Sequence, residues 1–185
     1  MPSESRNFVK ALETEKNTDV HDIIVIALLT SARKSDVFSM RWCDLTLTGN
    51  AAWKIPNPKT TGIVPKPYVV HLAPRVIDVL RRRARNAGDN PWVFPATPQS
   101  GHVEQIDKPW AEFRKRAKLR DFVFHDLRRS QPSRLVSRGY SMKLASEILG
   151  HSSVINTEKH YAHLLPSATA EAVDSFANEI FASEQ

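Results

Sequence analysis

Strand character in this chain is confined to one short stretch. Leu45-Thr46-Leu47, Ala51-Ala52-Trp53-Lys54-Ile55 and Tyr68-Val69-Val70-His71-Leu72 read as brief strands, parted by Gly49-Asn50 and by a Pro/Gly-rich loop from Pro56 to Pro67. Together they predict a three-stranded antiparallel sheet. The chain on either side carries helical spacing. The expected fold is therefore mainly α with a small three-stranded antiparallel sheet, an α+β architecture. At 185 residues the chain is long enough to bury a real core.

Taken in order, Ser3 can cap a first helix with Phe8, Val9, Ala11 and Leu12 at helical spacing, and Asn17-Thr18-Asp19 breaks it. His21 to Thr30 is strongly apolar and reads as a buried helix, although periodicity alone accommodates a strand there. His21 itself reads as a surface or capping residue. Pro74 opens a basic helix through Ala87, whose Arg81-Arg82-Arg83 run fits either a solvated face or a track for phosphates. Trp92-Val93-Phe94-Pro95 anchors the chain to the core. From Asp107 to Leu119 the pattern turns Trp110, Phe113 and Ala117 inward and Arg114, Lys115, Arg116 and Lys118 outward. A helix holding His125 and Arg128 runs to Arg138-Gly139, with Pro132 inside it, and Ser141 caps the helix Met142 to Leu149.

The charge balance favours a polyanionic partner. Lys and Arg number 26 against 20 Asp and Glu, giving a net charge of +6 and a pI near 9.6. The single cysteine, Cys43, cannot form an internal disulfide, which suits a reducing compartment, and reads as a small core hydrophobe beside Trp42. No stretch approaches the ~18 apolar residues of a membrane span, and Met1-Pro2-Ser3-Glu4 does not open a signal peptide. A soluble, cytoplasmic protein is expected.

Chemistry-bearing residues concentrate near the C-terminal end. His125 and Arg128, three apart, project from one face of a helix start. Leu149-Gly150-His151 reads as a helix C-terminus, with the glycine in the left-handed turn and the histidine presented after it. Tyr161 follows in the polar segment Asn156 to Leu164, where a tyrosine has little reason to be core. Two histidines, an arginine and a tyrosine of this kind could meet on one phosphate. Upstream, Asp36 lies one helical turn after Arg33 and can either orient a guanidinium or form an ordinary surface ion pair.

His125-x-x-Arg128, Leu149-Gly150-His151 and Tyr161-Ala162-His163-Leu164 together closely resemble the active-site half of the tyrosine recombinases, or phage integrases. Thr30 to Leu45 resembles that family's first-arginine box, in which Arg33 and Asp36 take the basic and acidic places. The family carries a catalytic lysine on the hairpin between the last two strands, commonly just before Thr-Gly. Lys59 is the best match, with Lys54 and Lys66 as rivals. The specific signal is the joint order Arg33, Lys59, His125, Arg128, His151, Tyr161, since each short motif alone is common.

The resemblance implies a nucleophilic tyrosine, Tyr161, that attacks a DNA phosphodiester and leaves a 3′-phosphotyrosyl bond. Arg33, Arg128 and His151 would donate to the phosphate oxygens, with Asp36 in support. His125 and the cationic cluster would activate the tyrosine, and Lys59 would protonate the departing 5′-hydroxyl. No metal or nucleotide cofactor is called for, because arginines neutralise the charge and the covalent link stores the bond energy. Double-stranded DNA is the implied partner, with a homo-oligomer (a tetramer) on DNA and a monomer when free.

Three departures from the family pattern stand out: Ser31 where glycine is usual, so that the backbone is expected to turn differently; Pro132 where a small residue is usual; and ten residues from His151 to Tyr161, one more than the commonest spacing. Thr157 keeps its usual distance from the histidine, which puts the extra residue at Lys159-His160. A single catalytic domain over 1–185 is expected, with a core over 1–165 and a C-terminal helix over 166–185 that can dock on its own domain or pass to a neighbouring subunit. Full-length relatives place a helical core-binding domain first, and this sequence begins at the catalytic domain, as an excised fragment or a truncated relative. Two other functions compete with strand exchange: DNA relaxation of the type IB topoisomerase kind, and a catalytically silent DNA-binding module.

Overall fold

The computed structural model describes residues 2–56, 67–151 and 154–161. The chain opens with three helices, α1 (Pro2–Glu13), α2 (Thr18–Thr30) and α3 (Lys34–Phe38), then a 3₁₀ turn over Trp42–Asp44. Strands β1 (Leu45–Thr46), β2 (Ala52–Ile55) and β3 (Tyr68–His71) follow. Five helices complete it: α4 (Pro74–Ala84), α5 (Asp107–Arg116), α6 (Phe124–Val136), α7 (Met142–Ile148) and α8 (Ile155–Tyr161). Lys59, Lys66 and the expected C-terminal helix lie outside the described residues.

The expected α+β architecture is present. The sheet is antiparallel in the order β1-β2-β3, with Leu45 opposite Trp53 and Ile55 opposite Tyr68. On β2 the side chains of Trp53 and Ile55 are buried and Lys54 is exposed, the alternation of a sheet with one covered face. The chain divides into two compact units, one reaching to Arg129 and the other starting at Ser130.

In the first unit the apolar run 20–30 is a helix, not a strand, and the reason is local. The Asn17 side chain accepts from the backbone N–H groups of Asp19 and Val20, satisfying donors that a helix start would otherwise leave open. Ile23, Ile24, Val25 and Ile26 are then fully buried. Side chains from the sheet, α4, the 92–95 segment and α5 complete this core, among them Trp53, Leu80, Phe94 and Phe113. The anchor at 92–95 is as expected, with Val93 and Phe94 buried.

Several local expectations are corrected. Cys43 is exposed, because the 3₁₀ turn points it outward. Val9 lies half in solvent, whereas Ala11 and Leu12 bury. Helix α4 stops at Ala84, short of Ala87. The Arg81-Arg82-Arg83 run makes intramolecular contacts. Arg81 donates to the Leu47 carbonyl at 2.8 Å, Arg82 pairs with Asp22, and Arg83 reaches Asp22 at 3.0 Å and Asp19 at 2.7 Å. Arg114, expected outward, donates to the Phe122 carbonyl. Pro132 does not break α6, which continues to Val136.

Asp22 is the acidic hub of the α2–α4 contact. It is 0% exposed and is met by His21 Nδ1 at 2.8 Å as well as by the two arginines. Arg83 also lies over the Phe94 ring at 4.4 Å and donates to the Val93 carbonyl at 3.0 Å. Removing the carboxylate takes from the mostly buried Arg83 its enclosed anion and leaves it only the half-exposed Asp19, a loss of up to about 3 kcal/mol. Asp22→Ala should therefore lower the urea unfolding midpoint strongly. Arg82→Ala, which removes a half-exposed partner, should cost under about 1 kcal/mol; equal losses would contradict this division.

Candidate active site

The turn after α2 positions the first set of candidate residues. Ser31 caps that helix with φ 52°, in the left-handed region. Serine thus takes the left-handed conformation that favours glycine. The turn delivers Arg33 to the N-cap of α3. Arg33 Nη1 lies 3.7 Å from Asp36 Oδ2, with the arginine side chain 37% exposed. A cation held by one carboxylate and still open to solvent can receive an anion.

Helix α6 brings the second set. Asp126 accepts from the Val123 backbone N–H at 2.8 Å, which fixes the helix start. Phe124 packs edge-on against Phe38 of α3 and Trp110 of α5. His125 is consequently exposed, and Arg128 on the next turn is only 4% exposed. Arg128 donates through Nη1 to the Ser31 carbonyl, 97 residues away in sequence. Burial pulls its guanidinium below the ordinary arginine value, and nearby Arg33 adds to this, while Tyr68 and Asp36 oppose it. Arginine nonetheless stays cationic.

His125 is pushed down from the usual histidine value of 6.5, first by burial and then by the charges of Arg129 and Arg128, against the opposing carboxylate of Asp126. At neutral pH its imidazole is the uncharged form. Tyr68 is the residue that sequence reasoning missed, having been set aside as a strand tyrosine. Its phenol is pushed up, by burial first and by Asp36 second, while Arg128 and Arg33 pull the other way. Arg33, Asp36, Tyr68, His125 and Arg128 therefore form one electrostatic cluster in the first unit. The available signal was alternation: in β3 Tyr68 and Val70 are the more sheltered residues and Val69 and His71 the exposed ones. An inward phenol needs polar company for its hydroxyl.

The second unit holds His151 and Tyr161. The Ser141 side chain accepts from the Leu144 N–H to start α7, and Gly150, at φ 58°, ends it in a left-handed turn. The His151 N–H then bonds the Ser146 carbonyl at 3.0 Å. His151 is half-buried, not simply presented, and its Nδ1 shares a 3.0 Å hydrogen bond with Thr157 Oγ1. This bond orients the ring. Tyr161 contradicts its expected exposure: it is 4% exposed and packs with Val136, Ala145 and Leu149. The cause lies in α8, which runs unbroken through Lys159 and His160. No local turn absorbs the extra residue there. Tyr161 falls one turn after buried Thr157, on the same face, while His160 is exposed.

Of the three lysines weighed for the hairpin role, only Lys54 is described, exposed on β2. Among the described residues, no group of three or more His, Cys, Asp or Glu side chains could hold a metal ion. Nor, among the same residues, is any helix long and apolar enough to cross a membrane.

The His125 environment has a direct test. Because its folded value lies below the ordinary one, the native state binds fewer protons than the unfolded chain. Stability is untouched above 6.5 and erodes as the pH falls below it. An NMR titration should place the His125 midpoint below 6.5, and Arg129→Ala should move it upward by removing a cation. A midpoint at or above the ordinary value would contradict the burial and charge described.

Comparisons with known proteins bear on family and fold. The profile of the phage integrase family matches residues 2–167. The chain is 27% identical over 174 residues to the integrase of Salmonella phage P22, covering 88% of this chain and 43% of that protein. It is 26% identical over 164 residues to tyrosine recombinase XerD of Rhizobium meliloti (strain 1021), covering 84% and 50%. It spans about half the length of the curated relatives it matches. Among solved structures, the fold is similar to XerA recombinase, with a TM-score of 0.70, 20% identity and coverage of 94% and 62%. It is also similar to the catalytic domain of bacteriophage HP1 integrase, with a TM-score of 0.62, 23% identity and coverage of 91% and 90%. With the family's profile spanning most of its length and the family's fold in its structure, this chain belongs to the phage integrase family.

Proposed function

We propose that this chain carries the strand-cleaving and rejoining chemistry of a site-specific tyrosine recombinase acting on double-stranded DNA. The observation that carries this reading is the cluster in the first unit. Arg128 is buried and tethered to the Ser31 carbonyl, Arg33 is half-open beside Asp36, and neutral His125 lies on the same helix as Arg128. Two fixed guanidinium groups suit a phosphate whose equatorial oxygens gain charge on the way to the transition state. Planar forks donate two parallel hydrogen bonds each, a geometry that lysine's tetrahedral ammonium does not offer.

In this mechanism the Tyr161 oxygen attacks phosphorus and loses its proton. A 3′-phosphotyrosyl ester forms, and the bond to the 5′-oxygen breaks. His125, uncharged at neutral pH, is the proton acceptor such a step needs. His151, its ring held by Thr157, serves as a further donor to the phosphate. Lys59 protonates the leaving 5′-hydroxyl, and attack by a 5′-hydroxyl on the ester reverses the sequence and rejoins the strand. Support for a DNA partner comes from the net charge of +6 and from a structural neighbour, the Tn1549 transposon integrase, solved in complex with circular intermediate DNA. Strand exchange is preferred over simple relaxation because the named relatives are integrases and recombinases. It calls for a homo-oligomer, a tetramer, on paired sites and is compatible with a free monomer.

Nicked duplex carrying a target site should give a denaturant-stable protein–DNA adduct, and Tyr161→Phe should abolish it by removing only the attacking oxygen. An adduct that survives this substitution, or no adduct from the unaltered protein on any cognate site, would refute the enzyme reading and leave a silent DNA-binding module. Arg33→Ala or Arg128→Ala should slow cleavage by roughly 10²–10⁵-fold, the scale of a lost transition-state charge donor. Arg→Lys should restore part of the rate. Cleavage should suffer far more than binding in gel-shift titrations; equal losses would make the arginines mere phosphate anchors.

A further inference from the structure

A cleft of about 430 Å³ opens at the end of α2 away from the catalytic cluster. Thr18, which starts α2, lines it, whereas Ser31 caps the other end of the helix. Those 13 residues of helix set the two ends about 20 Å apart. Neither arginine of the cluster, nor Asp36, Tyr68 or His125, is on the cleft wall. Backbone pairing builds that wall. The Trp42 N–H donates to the Pro91 carbonyl at 3.0 Å and the Val93 N–H to the Met40 carbonyl at 2.9 Å, which brings the indoles of Trp42 and Trp92 to the cleft. The last turn of α4 and the loop after it add Arg82, Arg83, Asn86 and Asn90. Among the described residues that line the cleft, the charged ones are these two arginines. The carboxylates that hold them, Asp19 and Asp22, are not on the wall.

Each wall group has capacity to spare. Arg82 meets Asp22 through Nη2 with its side chain 51% exposed, so guanidinium donors remain for an anion. Asn90 Oδ1 accepts from the Trp92 backbone N–H at 3.0 Å, which leaves its NH₂ to donate, and Asn86 offers an exposed carboxamide. Trp92 already carries the Arg41 guanidinium 5.2 Å over its ring, which leaves Trp42 as the better stacking surface. The Trp42 Nε1–H is sealed from solvent and has no acceptor among the described residues. An unmet buried donor is costly, and a small turn of the ring towards a bound acceptor removes that cost. We propose that this cleft binds a nucleotide. The base stacks on Trp42, the carboxamides of Asn86 and Asn90 meet its edge, a pairing that suits adenine, and the phosphate takes the free donors of Arg82. A bare anion leaves the indole and the amides unused, and an uncharged ring leaves the guanidinium unused. A nucleotide uses all three, and the cleft volume falls in the range of ligand pockets.

The test needs no DNA cleavage, so this site and the recombinase reading stand or fall separately. The four tryptophans give four indole N–H signals in a ¹H–¹⁵N spectrum of the full chain. Deoxyadenosine 5′-monophosphate should move those of Trp42 and Trp92 along a saturating curve, with a Kd below about 1 mM. Buried Trp53 and Trp110, which do not line this cleft, should stay in place. Deoxyadenosine alone and inorganic phosphate alone should each bind at least about tenfold more weakly, because each meets only part of the wall. Arg82→Ala should weaken the nucleotide by about tenfold with the fold intact, and exposed Asn86→Ala should weaken it too. Arg33→Ala should leave the titration unchanged. A short oligodeoxyadenylate that binds more tightly than the mononucleotide identifies single-stranded DNA as the source of the nucleotide; one that binds no better identifies a free nucleotide. A Trp42 signal unmoved at about 10 mM nucleotide, ten times the expected limit, would overturn the proposal. So would phosphate alone giving the same curve, which marks an anion site only, or loss of the shift in Arg33→Ala, which places the nucleotide in the catalytic cluster.

Discussion

The contact on which the first unit's site depends is the one between the Arg128 guanidinium and the Ser31 carbonyl. A buried guanidinium is tolerated only when its donors are met, because leaving a desolvated charge without partners costs several kcal/mol (about 3–5 on breaking such a pair). The carbonyl that meets it is available because α2 ends there. The last carbonyls of a helix have no partner within the helix, and the left-handed turn at Ser31 takes the chain out of the helix at that point. The terminus of one buried helix thus becomes the acceptor that sets the cation of another. The same turn places Arg33 two residues later at the start of α3. One backbone bend therefore fixes both arginines, although they are far apart in sequence.

A second constraint keeps the bend in place. Helix α2 is apolar along nearly its whole length and buries on almost every face, so packing alone would let it slide or rotate. Asp22 removes that freedom. Its carboxylate, enclosed and met by His21, Arg82 and Arg83, ties the N-terminal half of α2 to the last turn of α4. Losing the enclosed carboxylate is costly, whereas losing half-exposed Arg82 is not, so register is enforced chiefly by the Asp22–Arg83 pair. The arginine run of α4 thus has a structural part in holding α2.

Much of this was legible in the sequence. Alternation marked the sheet, Asn17 and Ser141 marked helix starts, and Gly150 marked the end of α7, because each of those residues acts on its own backbone within a few positions. Long-range pairing was not legible. Nothing near Arg82 or Arg83 in sequence announces Asp22, and a run of arginines looks the same whether its partners are carboxylates or phosphates. Ser31 was unreadable for a related reason. Serine pays a steric penalty at positive φ that glycine does not, so local propensity argues against the turn that tertiary contacts impose. Tyr68 was overlooked because a tyrosine in a strand is ordinary, and nothing local announces the charged groups that act on its phenol. Cys43 went astray over a single 3₁₀ turn, whose three-residue period no hydrophobic pattern encodes.

Tyr161 presents the sharpest tension between packing and chemistry. In the second unit its ring lies against Val136, Ala145 and Leu149, and α8 carries it there because one more residue separates it from His151 than is usual. Burying an aromatic ring of this size contributes about 2 kcal/mol, which corresponds to a population of a few per cent for a conformer with the ring released. If the oxygen must leave this packing to attack, the free protein is held in a state of low reactivity by its own core. DNA can change that only by binding the released form more tightly than the packed one. A preference of more than about thirtyfold, on the order of 2 kcal/mol, is enough to make the released form the major one.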